Sequence, residues 1–278
     1  MAPAGLAAAQ EPTDELERLE EWPELENEAE AAKELARLRK ARTPAMGEQA
    51  HEAILAIGPA LVPDLVRALH KERDEDARER VVAVLDALTD ARHTRLLARE
   101  FRHESAHVRT WALARAALFP DAGTRAGAEE ALAAVRATRE EDREPGELVV
   151  AALAVTAAGS LEGMDVLHEL AQRDDAAARG PVRTALEAVR GPEASALVSR
   201  HLAGEREQKL GALRLLAGCG DPESARAVAP FLDGDDNALR IAAINALRGA
   251  LDGDPPLEKV SAFEAIEIAA KWKSRIPR

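Results

Sequence analysis

Residues 220–251 have a clear helical alternation of apolar and polar positions, with apolar side chains three and four positions apart. Asp221-Pro222 opens a first helix, because Asp is a favourable N-cap residue and Pro fits the first helical position. The polar run 233–237 ends this helix, and a second helix with two apolar sides follows. The apolar positions are Ala225, Val228, Ala229 and Leu232, then Leu239, Ile241, Ala243, Ile244, Ala246, Leu247 and Ala250. Such a pair needs neighbours to bury its apolar faces.

The same helix pair recurs along the chain from about residue 46. Its first helices are predicted to begin near residues 47, 76, 105, 145, 176, 205 and 237, mostly 29 to 32 residues apart. One interval is 40 residues long, and the polar run 139–144 falls there. Helix pairs at such a period are typical of a solenoid, in which each pair packs on its neighbours. We therefore predict an all-α superhelix of about seven stacked antiparallel pairs over residues 46–278, with helical cap residues at 13–45.

The N-terminus indicates export. Residues 1–12 are predicted to be disordered, and Ala7-Ala8-Ala9 before Gln10 fits the small-residue pattern of a signal-peptide cleavage site. We expect an exported or periplasmic bacterial protein with a signal-peptide remnant; the alternative is a disordered, Ala-rich start of a cytoplasmic protein. Two cap helices are predicted at residues 14–21 and 24–42, and the second runs from acidic to basic residues, which suits the helix dipole.

Composition narrows the function classes. The chain has four Phe and no Tyr among 278 residues, so residues favoured in strands are scarce. A net charge of −13 argues against nucleic acid as the main partner, because phosphate binding needs many cations. The sequence has no apolar run of the roughly 18 residues that span a membrane. Cys219 is the single cysteine, which excludes an internal disulfide, and we interpret it as a small residue in a turn.

A short motif, apolar-Arg-x-x-apolar, lies in several of the predicted first helices. It occurs as Val108-Arg109-x-x-Ala112, Val182-Arg183-x-x-Leu186 and Leu239-Arg240-x-x-Ala243. The motif, together with the interhelical turn at residues 57–63, resembles the HEAT-repeat family in its short bacterial, phycobilin-lyase-type form. The resemblance covers about residues 46–276. It implies stacked helix pairs whose second helices line a concave face, and it implies no particular activity, since function depends on sites and not on folds.

Histidine-glutamate pairs raise the alternative of a metal enzyme. Residues 103–107 match H-E-x-x-H, in which His103 and His107 on one helix bind zinc and Glu129 or Glu130 supplies a further ligand. The predicted helix break at residues 104–105 argues against a shared face. The pairs at 51–52, 103–104 and 168–169 also resemble those of deoxyhypusine hydroxylase, a HEAT-like diiron enzyme, although their spacing departs from it. We therefore predict neither a metal nor a cofactor.

The predicted second helices carry a series of arginines. They are Arg67, Arg95, Arg99, Arg102, Arg136, Arg173, Arg200 and Arg226. Because Arg binds carboxylates in bidentate geometry, these residues predict a basic stripe on the concave face that binds an acidic protein segment. The alternative is solvated Arg with carboxylate partners one turn away.

These observations predict a non-enzymatic scaffold or adaptor that binds a protein or peptide. The alternatives are a metal-dependent hydrolase or diiron-hydroxylase-like enzyme, a lyase-like chromophore-attachment protein, and a nucleic-acid HEAT protein, which the charge disfavours.

Overall fold

A computed structural model describes residues 17–173, 178–257 and 259–276. Across these ranges all regular structure is helical, without strands, and the all-α prediction is confirmed. The described α-helices are α1 (Glu28–Arg39), α2 (Pro44–Ile57), α3 (Val62–Lys71), α4 (Glu75–Leu88), α5 (Thr94–Leu97), α6 (Ala106–Leu118), α7 (Arg125–Ala137), α8 (Glu147–Ala157), α9 (Met164–Arg173), α10 (Arg179–Glu187), α11 (Pro192–Ser199), α12 (Arg206–Cys219), α13 (Ala225–Val228), α14 (Asn237–Leu247) and α15 (Ala262–Lys273).

Several helices begin where the sequence supplies an N-cap side chain that accepts a backbone N–H. These caps are Asn27, Thr43, Asp74, Asp236 and Ser261. Thr43-Pro44 directly follows the predicted helix 24–42. It begins α2, because the Thr43 hydroxyl accepts the N–H of Met46 at 3.3 Å and Pro fits the first helical position. Helix α1 already ends at Arg39.

The helices pack as one contiguous array. We call α2, α4, α6, α8, α10, α12 and α14 the first helices, and the helix after each of them the second helix of its pair. First helices of successive pairs lie side by side, as in the contacts of α6 with α8, α8 with α10, α10 with α12 and α12 with α14. Contacts join elements that are near each other in chain order, and one apolar core runs from Ala31 to Trp272.

Two of the predicted second helices are broken. The second helix of the pair that begins near residue 76 is not continuous, because α5 is flanked by the 3₁₀ turns Ala91–His93 and Ala98–Arg102. Helix α13 begins at Ala225, after the Asp221-Pro222 pair that was expected to open it. The Asp221 carboxylate accepts the Ser195 hydroxyl at 2.8 Å and the Ser224 N–H at 3.0 Å, so it fixes a turn against α11.

Both ends of the chain also depart from the pattern. Residues 17–21 of the predicted helix 14–21 are not helical, while residues 1–16, including the predicted disordered start, lie outside the described residues. The last helix, α15, begins at Ala262, because Ser261 and Glu264 form a capping box there. The preceding residues 253–257 form a non-helical loop beside α14.

Helix α12 is buried from Leu210 to Cys219 with the exception of Arg214. Besides α10 and α14, it contacts α9. Glycine is needed at this contact, because a Cβ on Gly211 would lie 2.8 Å from Gln172 Cγ and 3.0 Å from the backbone oxygen of His168. Helix α12 therefore packs closely against α9.

Within the described ranges, no helix by itself combines the length and hydropathy needed to cross a bilayer. One pair bent by 104°, Pro44–Ile57 with Pro59–Lys71, meets these criteria when its two halves are taken together.

Candidate functional site

The predicted basic stripe falls on the second helices and the turns that extend them. Arg67 lies on α3, Arg136 on α7 and Arg173 at the end of α9. Arg95 lies on α5, and Arg99 and Arg102 lie in the 3₁₀ turn after it. Arg200 begins the turn after α11, and Arg226 lies on α13. The stripe is therefore spread over six successive helix pairs.

Carboxylates accompany several of these arginines. Arg67 pairs with Asp64 one turn away on α3. Arg102 pairs with Glu130 of α7, and Arg136 pairs with Asp165 of α9. Each of the latter two arginines thus contacts the second helix of the next pair. Ion pairs at the surface of this kind are exchangeable, because solvent screens them.

An extended segment of the chain itself lies on α5 and its flanking turns. The Leu19 N–H donates to the Arg92 carbonyl at 3.0 Å, and the Arg99 guanidinium donates to the Glu20 carbonyl at 3.2 Å. Arg95 lies 3.7 Å from the Glu20 carboxylate. Both backbone and side-chain contacts therefore hold residues 18–22, in a stretch where a helix was predicted.

Arg18 supplies a second anchor for this segment. Its guanidinium donates to the Ala91 carbonyl and lies 3.2 Å from the Asp121 carboxylate. Arg95 lies 3.1 Å from the same carboxylate, which is almost fully buried. Asp121 thus joins the arginine of the segment to an arginine of the surface below it.

The third anchor is an aromatic stack. The ring of Trp22 lies parallel to that of His93, with centroids 5.2 Å apart and an interplanar angle of 13°. His93 is buried, its Nδ1 lies 2.9 Å from the Asp90 carboxylate, and its Nε2 has no hydrogen-bond partner among the described residues. Burial lowers the pKa of His93, against the opposing effect of Asp90. The neutral ring therefore serves as an apolar platform for tryptophan.

We call Arg92, His93, Arg95, Arg99 and Asp121 the docking surface. It holds the chain's own extended segment through Arg18, Glu20 and Trp22, which lie two positions apart. Arg95 and Arg99 were predicted from the sequence, whereas Trp22, His93 and Asp121 were not. Residues 17–24 contain a cluster of charged residues around a single tryptophan, and this cluster could have indicated the docked segment. The same cluster is equally compatible with an acidic helix.

Arginines outside the predicted stripe have structural partners. Arg109 of α6 lies 2.7 Å from the Glu147 carboxylate, which is 1% exposed, and donates to the His103 carbonyl at 2.8 Å. Arg115 donates to the Thr89 hydroxyl at 3.0 Å at the end of α4. Arg80 and Arg214 donate to carbonyls at the ends of α1 and α9. These side chains tie neighbouring helix pairs together.

The H-E-x-x-H residues have separate partners. The His103 Nδ1 accepts the N–H of Ser105 at 3.0 Å, and its ring packs edge-on against His70 at 5.1 Å. His107 lies on α6, where its Nε2 faces the Arg78 guanidinium at 2.6 Å and its Nδ1 faces Glu144 at 3.1 Å. Because Arg only donates, His107 Nε2 must accept this bond, which uses the lone pair that a metal needs.

Over the described part of the chain, no three His, Cys, Asp or Glu side chains are grouped to hold a metal. His51 lies on α2, and His168 is buried on α9, stacked on His201 with centroids 3.9 Å apart. The sequence suggested that Cys219 lies in a turn. In the structure it is instead the last residue of α12. Burial raises the pKa of its thiol to about 12, which makes it unreactive at neutral pH.

Comparisons with protein-family models, curated proteins and solved structures give no match to this chain.

Proposed function

We propose that the protein is a non-enzymatic scaffold that binds partner proteins through short extended segments on its docking surface. The observation that supports this is the seating of residues 18–22 on that surface, through one backbone bond, an Arg–Asp pair and a Trp–His stack. A partner segment with the same sequence of basic, acidic and tryptophan residues meets the same groups. The chain's own segment then competes with the partner.

Tethering makes this competition strong. A segment joined to its site by a short linker has an effective concentration of about millimolar, so a free peptide of similar intrinsic affinity competes poorly. The docking surface is therefore expected to bind a partner well only after the chain's own segment has been released. A partner that displaces residues 18–22 from the docking surface would therefore also expose these residues.

The binding experiment uses the full chain and a fluorescein-labelled peptide with the sequence of residues 15–24. Arg18→Ala with Trp22→Ala releases the chain's own segment, and fluorescence anisotropy should show at least about tenfold tighter peptide binding than to the unsubstituted chain. Adding Arg95→Glu and Arg99→Glu should reverse this gain. A peptide in which alanine replaces tryptophan should also bind weakly.

Arg139→Glu is the matched control, because Arg139 is exposed in the loop after α7 and its ion pairs with described residues are to nearby Glu141 and Asp142. It should leave peptide binding unchanged. If the released variant fails to bind the peptide while retaining its circular dichroism spectrum, the docking surface does not recognise segments in trans and the proposal is wrong.

We further propose that the helical array is a HEAT-type solenoid. Support comes from contacts between elements close in chain order and from the side-by-side first helices. Small-angle X-ray scattering tests this, because a compact globule of 278 residues has a radius of gyration of about 19 Å and a solenoid exceeds it. A value at or below that of the globule would exclude the solenoid.

A further inference from the structure

His93 of the docking surface is almost completely enclosed. It is 1% exposed, and its Nε2 atom is buried without a hydrogen-bond partner among the described residues. The ring of Trp22 covers one face of the imidazole, with centroids 5.2 Å apart. Trp22 itself is only partly buried, and it belongs to the extended segment 18–22 and not to a helix. Release of this segment would therefore open His93 to water.

The hydrogen bond at Nδ1 of His93 suits a neutral ring. The Asp90 N–H donates to Nδ1 at 3.2 Å, which requires a lone pair on that atom. The single proton of the neutral imidazole is then on Nε2. A second proton, on Nδ1, would displace the Asp90 N–H, although the Asp90 carboxylate, 2.9 Å away, would accept the new N–H. Asp90 therefore opposes protonation through its backbone and favours it through its side chain.

The other charged groups around His93 are cations. The Arg92 guanidinium opposes a charged ring and is hydrogen-bonded to the Asp90 carboxylate, whose charge it partly neutralises. Arg115 of α6 reaches the same turn, where it donates to the Thr89 hydroxyl at 3.0 Å. Burial is the largest influence, and it lowers the pKa of His93 below its usual value.

The docked segment adds one charge of each sign and an apolar cover. Arg18 donates to the Ala91 carbonyl, and the Glu20 carboxylate lies 3.7 Å from Arg95. The face of Trp22 attracts a cation, but a charged ring also needs an acceptor for its Nε2–H, and none of the described residues supplies one. Water supplies that acceptor after the segment has left. The charged ring is therefore favoured in the released state.

We propose that the docking surface is a pH switch, which holds residues 18–22 while His93 is neutral and releases them when His93 is protonated. The released state binds the proton more tightly, so a falling pH shifts the population towards release. The shift begins as the pH drops through about 6.5, the ordinary pKa of histidine, and is complete below the pKa of the docked state. A partner segment that stacks tryptophan on His93 should leave under the same conditions. This consequence rests on the proposed function, whereas release of the chain's own segment does not.

The first measurement is the pKa of His93, followed by NMR of the imidazole groups in the full chain. Arg18→Ala with Trp22→Ala provides the released state, and His93→Phe identifies the His93 signal among those of the seven histidines. The pKa should be lower by at least about one unit in the unsubstituted chain, which corresponds to a tenfold preference of the proton for the released state. Equal pKa values in the two proteins would overturn the inference.

The second measurement follows release directly. Glu24→Cys, at an exposed position beside the segment, carries a rhodamine dye whose fluorescence is independent of pH, and labelling is selective because Cys219 is buried. Arg18→Ala is included to weaken docking, so that both states are measurable. Between pH 8 and pH 5 the anisotropy of the dye should fall towards that of the released variant, while the circular dichroism spectrum remains helical. With His93→Phe added, the anisotropy should not change with pH.

Arg139→Glu is again the control and should leave the pH dependence unchanged. An anisotropy that stays at the docked value down to pH 5, or that falls equally in the His93→Phe variant, would contradict the switch. Neither measurement uses a partner peptide, so their outcome is separate from that of the binding experiment. A chain that releases its segment in acid but binds no peptide would retain the switch and lose the proposed function.

Discussion

Two arginines of the first helices and two of the second-helix layer have different acceptors. On the first helices, Arg109 pairs with the buried Glu147, and Arg115 bonds to Thr89 at the end of the preceding first helix. On the second helices, Arg102 and Arg136 pair with exposed carboxylates. Arginine therefore joins neighbouring pairs in both layers, through buried acceptors in one and through exposed, exchangeable acceptors in the other.

The difference is one of burial and not of residue type. A buried acceptor that loses its partner keeps the full cost of desolvation, whereas an exposed carboxylate returns to water. Arg102 and Arg136, whose acceptors are exposed, are thus available to an incoming segment, whereas Arg95 is also held by the buried carboxylate of Asp121. Single arginine substitutions in each layer measure this contrast as the loss in the free energy of unfolding.

The largest effect is expected from Arg109→Met. It leaves Glu147, which is 1% exposed, as an uncompensated buried carboxylate and removes the bond to the His103 carbonyl. We expect the free energy of unfolding to fall by about 3 kcal/mol, measured by urea denaturation. Adding Glu147→Met should recover much of the loss, because the unpaired charge is then removed. Equal stabilities of the single and double variants would show that the pair is not electrostatically coupled.

An intermediate effect is expected at His93, a buried residue of the second-helix layer. Because burial lowers the folded pKa of His93 below the ordinary 6.5, the unfolded chain takes up a proton first as the pH falls. Stability should therefore decrease as the pH drops through 6.5 towards the folded pKa. His93→Phe keeps a ring under Trp22 and removes this titration.

Urea denaturation from pH 8 to pH 5 compares the free energies of unfolding of the unsubstituted chain and His93→Phe. Their free energies of unfolding should change in parallel above pH 7, and below it the unsubstituted chain should lose stability more steeply. If the two proteins have identical stability profiles at every pH, His93 is not the group that causes the loss of stability at low pH.

The smallest effect is expected from Arg136→Ala on α7. Its partner Asp165 is exposed, so removing the ion pair should lower the free energy of unfolding by only about 0–1 kcal/mol. The difference should shrink further in high salt, which screens surface pairs. A loss comparable to that of Arg109→Met would break the proposed contrast between the two layers.

Hydrophobic periodicity was enough to predict several of the first helices. Helices α4, α6 and α14 begin within one residue of their predicted starts, because N-cap residues or polar breaks fix those positions. Periodicity could not predict the breaks around α5 and α13. Their apolar positions suit either a continuous helix or short turns, and tertiary contacts such as Asp221 with Ser195 decide between them.

The candidate site could be predicted only in part. Arg95 and Arg99 followed from the placement of arginines on second helices. The position of Trp22 on His93 depends on contacts between residues more than 70 positions apart, which local pattern does not encode. The acidic groups that flank Trp22 favoured a helix equally well, and only the bond of the Leu19 N–H to the Arg92 carbonyl shows an extended conformation.

The short 3₁₀ turns of the second-helix layer have a consequence for local opening. Around α5 and α13 the backbone has few consecutive α-helical hydrogen bonds, whereas α12 has an uninterrupted helix inside the core. Amide hydrogens in the first layer should therefore exchange with solvent only in large cooperative openings, while those around α5 exchange through small ones. Residues 18–22 lie on α5 and its flanking turns, so we expect their exchange with a competitor to leave the core around α12 intact.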